Sequence, residues 1–147
     1  ILLICTDFQL KKPGKHQPCL YPESEMFQQM PQVLATGYLV GLMEWACIEA
    51  IRPHLDWPRE QSLGTHINFS HLAATPPGFT ITINVRLVKI EGRKLAFTLS
   101  AHDGTDTISE GTHERFVIDA ARFNAKLEEK RRAGPGRSLS DLGSTNS

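Results

Sequence analysis

The sequence is poor in the features that most readily classify a protein. Only three cysteines occur in 147 residues, Cys5, Cys19 and Cys47. They are too few and too scattered for a disulfide framework or a zinc site, and a reduced, cytoplasmic chain is the simplest reading. Neither sign of charge dominates, since 16 Lys and Arg balance 16 Asp and Glu. A nucleic-acid-binding face needs basic excess to neutralise phosphates, and a polybasic membrane anchor needs the same, so neither is expected. Long hydrophobic runs are missing too. The apolar residues 1–5 have no basic stretch before them and Asp7 soon after, too short for a signal peptide or a membrane span. There is no Gly-rich phosphate loop after a strand, no Gly-x-Ser-x-Gly elbow and no internal repeat. His16, His54, His102 and His113 show no ligand spacing with one another or with cysteine, so no metal site is expected.

What is present is an ordinary globular composition, 40% hydrophobic and 22% charged. That is too apolar for a disordered chain, and at this length one domain can bury a core without staples. Residues 1–10 suit a strand ended by Lys11-Lys12-Pro13-Gly14. A single long helix is predicted over residues 33–51, stopped at Arg52-Pro53 because the residue before proline avoids helical geometry. It is apolar on nearly every side and must be enclosed by the rest of the domain. After Gln61 four alternating runs read as strands, joined by Thr75-Pro76-Pro77-Gly78, Glu91-Gly92-Arg93 and Asp103-Gly104. The expected class is α+β, a curved antiparallel sheet of about five strands around one helix. The globular domain is expected over residues 1–129, with a Gly/Ser-rich disordered tail at 130–147.

Glu44 is the most informative side chain. Its helical neighbours Val40, Gly41, Cys47 and Ile48 are apolar or small, so its charge is costly unless paired or hydrogen-bonded. An enclosed carboxylate of this kind suits acid–base or nucleophilic work, against the blander alternative of a side chain reaching solvent at the helix edge. Thr36 precedes Gly37 at the head of the helix, where an N-cap is the plain interpretation. Eight residues separate Thr36 from Glu44, about 12 Å along a helix axis. The two can serve one substrate only if the chain bends or a second subunit contributes. His71 falls in phase with Ile67 and Phe69, facing the helix, whereas His66 is out of phase and faces away. A buried acid, a facing histidine and a hydroxyl are compatible with acyl transfer or with hydration.

Several blocks then resemble a known family in the right order: Leu20-Tyr21-Pro22-Glu23-Ser24, Ala35-Thr36-Gly37, Val40-Gly41-Leu42-Met43-Glu44-Trp45-Ala46-Cys47, Ser62-Leu63-Gly64-Thr65, His71 with Ala73-Ala74-Thr75-Pro76-Pro77-Gly78, Ser100-Ala101-His102-Asp103-Gly104 and Gly111-Thr112-His113-Glu114-Arg115. From about Leu20 to Lys126 the chain resembles the fluoroacetyl-CoA thioesterases of the hot-dog fold. The resemblance implies a homodimer and hydrolysis of an acyl-CoA thioester without metal or bound cofactor. It assigns catalysis to Thr36, Glu44 and His71, and substrate contacts to Gly64 and Arg115. A short helical lid with two phenylalanines in the family matches Phe27 and Met30 here. A flexible methionine in that place shifts expectation toward a less discriminating acyl pocket. The competing functions are a hot-dog enoyl-CoA hydratase or dehydratase, which the absence of an Asp-His pair at the helix start opposes, and a non-catalytic acyl-CoA-binding protein.

Overall fold

The computed structural model describes residues 21 and 23–134. In chain order they form α1 (Glu25–Gln28), α2 (Thr36–Ile51), a 3-10 turn (Arg52–His54), β1 (Glu60–Phe69), β2 (Thr82–Glu91), β3 (Lys94–His102), β4 (Thr107–Asp119) and α3 (Ala120–Ala133). The strand predicted at residues 1–10 lies outside the described residues, which hold four strands. These make one antiparallel sheet in the order β1-β4-β3-β2.

The apolar positions of the strands explain why α2 sits where it does. Ile83, Val85 and Leu87 on β2, and Leu95, Phe97, Leu99 and Ala101 on β3, are buried on one face of the sheet. Against them α2 packs Leu39, Leu42, Met43, Ala46, Cys47, Ala50 and Ile51, the three-and-four spacing of a single helical face. The expectation that α2 is enclosed on all sides is not met within the described chain. Tyr38 and Trp45 on its opposite face stay exposed, because one sheet covers one side of a helix.

The helix also starts later than residue 33. Leu34 N donates to the Thr75 carbonyl at 2.9 Å, which ties this segment to the loop after β1 instead. Ala35 occupies the N-cap with no side-chain hydrogen bond, and Thr36 is already inside the helix. The N-cap interpretation of Thr36 is therefore corrected.

Two further departures have local causes. Alternation along β1 places Leu63 on the same face as Ile67, but the register shifts between Gly64 and His66. This bulge around Thr65 puts Leu63 opposite the exposed Phe116, and Gly64 opposite the buried Arg115 on the helix side. Ile67 pairs with the buried His113, so it keeps the helix face and His66 points away as expected. At the other end, Lys130 to Ala133 are the last turn of α3 rather than the start of a tail. Asp119 caps this helix, accepting from Arg122 N at 3.0 Å, and Glu128 pairs with Arg131 and Arg132. None of its residues is buried, so no apolar stripe signalled it in the sequence. Residues 135–147 lie outside the described residues.

Candidate active site

Two clusters of functional side chains stand on α2. The first joins its start to the end of β1. Beyond Phe69 the chain keeps strand-like bonds to β4, with Ser70 N donating to Glu110 O and Leu72 N to Ile108 O, both at 2.9 Å. These bonds bracket His71 and aim it at the helix. Thr36 Oγ1 and His71 Nδ1 are hydrogen-bonded at 2.8 Å. His71 Nε2 is buried and has no hydrogen-bond partner among the described residues. A buried polar atom left without a partner carries a desolvation cost and is a candidate for a functional position.

The loops behind this pair are tied down by Asp103. Its Oδ1 accepts from Asp106 N at 2.9 Å and Thr105 N at 3.0 Å, and its Oδ2 accepts from Thr75 Oγ1 at 3.0 Å. The bond from Asp106 N is the foremost cause that holds this carboxyl below the ordinary Asp range. Since the Thr75 carbonyl holds Leu34 N, the Asp103 turn helps set where α2 begins.

The second cluster surrounds Glu44. Its side chain is 34% exposed, and Oε1 accepts from Arg115 Nη1 at 2.9 Å. Oε2 has no hydrogen-bond partner among the described residues. The carboxylate is thus anchored at one oxygen and open at the other, intermediate between the buried acid and the solvated side chain that the sequence allows. Arg115 is only 2% exposed and is held on every side. Its Nε donates to Ser62 Oγ at 2.8 Å, Nη2 to Ser62 O at 2.7 Å, and Nη1 also to His113 Nε2 at 3.0 Å. Arg115, which the resemblance assigns to substrate contact, lies beneath Glu44 and anchors it.

Gly64 borders the same carboxylate. A Cβ placed there would lie 2.5 Å from Glu44 Oε1 and 3.1 Å from His113 Cε1. The missing side chain makes room for the carboxylate. Cys47, one turn along the helix, is fully buried, and burial above all pushes its thiol up to about 12. It stays protonated and has no part as a nucleophile.

Thr36 and His71 are therefore brought together, as are Glu44, Gly64 and Arg115, but the clusters sit two helical turns apart, about 12 Å. Phe27 lies within the short α1 and Met30 two residues beyond it, and this helix buries no residue. Both are exposed, and Phe27 meets the Tyr21 ring edge-on at 5.3 Å. Sequence reasoning missed His113 and Ser62. The signal for His113 was its phase: it lies two residues before Arg115 on one strand, so both side chains share the apolar face.

The profile of the fluoroacetyl-CoA-specific thioesterases matches residues 20–121. The chain belongs to that family. It is 54% identical over 122 residues to the fluoroacetyl-CoA thioesterase of Streptantibioticus cattleyicolor, covering 83% of this chain and 87% of that one. A crystal structure of a variant of the fluoroacetyl-CoA-specific thioesterase FlK with fluoroacetate and CoA superposes with a TM-score of 0.79 at 51% identity, covering 85% of this chain and 98% of that one. A hot-dog-like protein from Thermanaerovibrio acidaminovorans, 19% identical, shares the fold with a TM-score of 0.71 over 91% of this chain and 94% of its own. This family member is accordingly a hot-dog protein and a thioester hydrolase. Among the described residues no helix is long and apolar enough to cross a membrane.

Proposed function

We propose that the chain hydrolyses short acyl-CoA thioesters, fluoroacetyl-CoA among them, in a site completed by a second copy of itself. The observation that carries this reading is the half-anchored carboxylate. Arg115 fixes Glu44 Oε1 and leaves Oε2 open, the posture an electron-pair donor needs. From there Oε2 attacks the thioester carbonyl, expelling the CoA sulfur and leaving an anhydride that water then opens, or it takes a proton from a water that attacks the carbonyl directly. His71 gives a proton to the departing CoA sulfur and regains one from the water consumed, or removes one beside a carbonyl that an electron-withdrawing substituent has acidified. Thr36 and nearby backbone N–H groups stabilise the oxyanion, the kind of preorganised electrostatic effect that contributes most to many enzymatic rates. The residues need no metal or bound cofactor for these steps, since CoA enters with the substrate.

Reacting groups must approach within about 3–3.5 Å, so clusters two turns apart on one helix do not form one site. Pairing two copies does. Among the described strands β1 lies at an edge, six of its ten residues in a row are exposed, and Ile67 is 41% exposed although it lies on the helix face. Long unpaired edges of this kind are covered in stable proteins. Edge-to-edge pairing of two copies would cover it and carry Glu44 of one copy toward Thr36 and His71 of the other. A reducing, cytoplasmic setting suits the free buried thiol of Cys47. Nothing in the charge balance favours a nucleic-acid or membrane partner.

Free-thiol release measured with acetyl-, fluoroacetyl-, propionyl- and longer acyl-CoA compounds tests the proposal. An apolar pocket separates substrates by only about 1–3 kcal/mol per methylene, so a graded preference for the shortest acyl groups is expected. A flat profile would remove the fluoroacetyl assignment. Absence of thiol release from every compound, with saturable binding retained, would make the protein an acyl-CoA binder instead.

A further inference from the structure

We infer that His113 is a positioning residue for the reaction: its neutral imidazole takes one hydrogen of Arg115 Nη1 and so leaves the other aimed at Glu44. The inference rests on the reading of Glu44 as the catalytic carboxylate. Its basis is a chain of hydrogen bonds whose directions are forced. A guanidinium can only donate, so at 3.0 Å from Arg115 Nη1 the nitrogen His113 Nε2 must be the acceptor. A carbonyl can only accept, so at 2.7 Å from His66 O the nitrogen His113 Nδ1 must carry the hydrogen. One neutral tautomer satisfies both. Burial, the largest influence, and the Arg115 charge hold the imidazole below its usual pKa, whereas the His66 carbonyl and Glu44 pull it upward and the His66 imidazole pulls it down. The ring is fully buried, stacked at 6.5 Å on Phe97 and tilted at 6.1 Å to Phe69, so it cannot turn to exchange its partners.

Ser62 holds the far side of the guanidinium, through Nε and Nη2. Nη1 carries two hydrogens, and among the described residues His113 and Glu44 receive them. Without the imidazole acceptor the guanidinium has a buried donor to satisfy, and Glu44 Oε1 becomes the sole acceptor at that nitrogen. The carboxylate is then drawn inward, away from the opening. A displacement near 1 Å costs up to about a hundredfold in rate.

Two substitutions separate the roles of the ring nitrogens. Gln Oε1 lies as many bonds from Cβ as His Nε2, and Asn Nδ2 as many as His Nδ1. His113→Gln therefore keeps the acceptor for Arg115, while His113→Asn keeps only the donor to His66 O. In thiol-release assays corrected for folded enzyme, His113→Asn and His113→Leu should lose about tenfold to a hundredfold in kcat with KM within about twofold, and His113→Gln should stay within about threefold of wild type. A core-filling role predicts the opposite order, with Leu the mildest change. Wild-type kcat in His113→Asn, or His113→Gln as impaired as His113→Leu, would overturn the inference. Glu44→Gln is measured alongside. Full activity there defeats the reading of Glu44 itself, whereas an inactive Glu44→Gln beside a fully active His113→Asn defeats only the role of His113. Imidazole nitrogen-15 spectra of the wild-type protein give a check independent of folding: a neutral Nδ1–H tautomer at His113 supports the inference, and an Nε2–H or charged ring contradicts it.

Discussion

Replacing Gly64 with Ala places a methyl group 2.5 Å from Glu44 Oε1. Carbon–oxygen contacts in proteins begin near about 3.3 Å, so the oxygen must retreat by roughly 0.8 Å. Arg115 cannot follow, because Ser62 and His113 hold the rest of its guanidinium. The 2.9 Å bond between Arg115 and Glu44 is then stretched beyond useful length. Misplacement of a reacting group on this scale costs about a hundredfold, or about 2.7 kcal/mol of transition-state stabilisation. The fold itself should tolerate the change. Gly64 does not need a left-handed backbone, the nearest atom in the way is the end of a flexible side chain, and His113 Cε1 at 3.1 Å need give by only a few tenths of an ångström. Loss of a charged hydrogen bond at about 1.5–3 kcal/mol, less the entropic gain of Ala over Gly, corresponds to a fall of only a few degrees in Tm. Thiol release beside thermal melting reads both quantities. The prediction is a collapse in kcat with KM little changed. A rise in KM at constant kcat would mean that Gly64 makes room for the thioester instead, and an unaffected enzyme would refute the seating argument.

The Asp103 turn yields the remaining predictions. Asp103→Ala leaves the buried Thr75 hydroxyl and two backbone N–H groups without their acceptor, a loss of about 3 kcal/mol, or about 6–12 °C in Tm. Because this carboxyl titrates lower in the folded state than in the unfolded chain, its contribution is present above the ordinary Asp pKa of about 4 and is lost as pH falls through the lower folded value. Asp103→Asn should flatten that acid limb in denaturation curves measured below pH 5, and an unchanged limb would show that the turn does not report through Asp103.

How much of this was legible in the sequence depended on whether a position obeyed a simple period. The buried faces of β2 and β3 and the long apolar helix followed two- and 3.6-residue spacings, so the α+β arrangement could be read directly. His71 and His66 were assigned to their faces correctly by phase alone. The bulge at Thr65 defeated the same reasoning for Leu63 and Gly64, because one extra residue reverses every side chain beyond it. The family resemblance singled out Gly64 and Arg115, but only the structure shows that one makes space for Glu44 and the other grips it. His113 was set aside for lacking metal-ligand spacing. Its function depends on a partner two residues away on its own strand and on a carbonyl across the sheet. Helix α3 escaped notice because it buries nothing, and propensity without an apolar stripe is a weak signal.

The central claim is that Glu44 and the Thr36–His71 pair meet across two subunits to act on one thioester. Co-expression of Glu44→Gln with His71→Ala tests it, since each homodimer alone should be at least about a hundredfold slower than wild type. If the site is shared, every mixed dimer holds one wild-type site beside one doubly damaged one, and an equimolar random mixture should recover about a quarter of wild-type thiol release. If mixed dimers form and release thiol no faster than either parent, the carboxylate and the imidazole do not serve one substrate across the dimer.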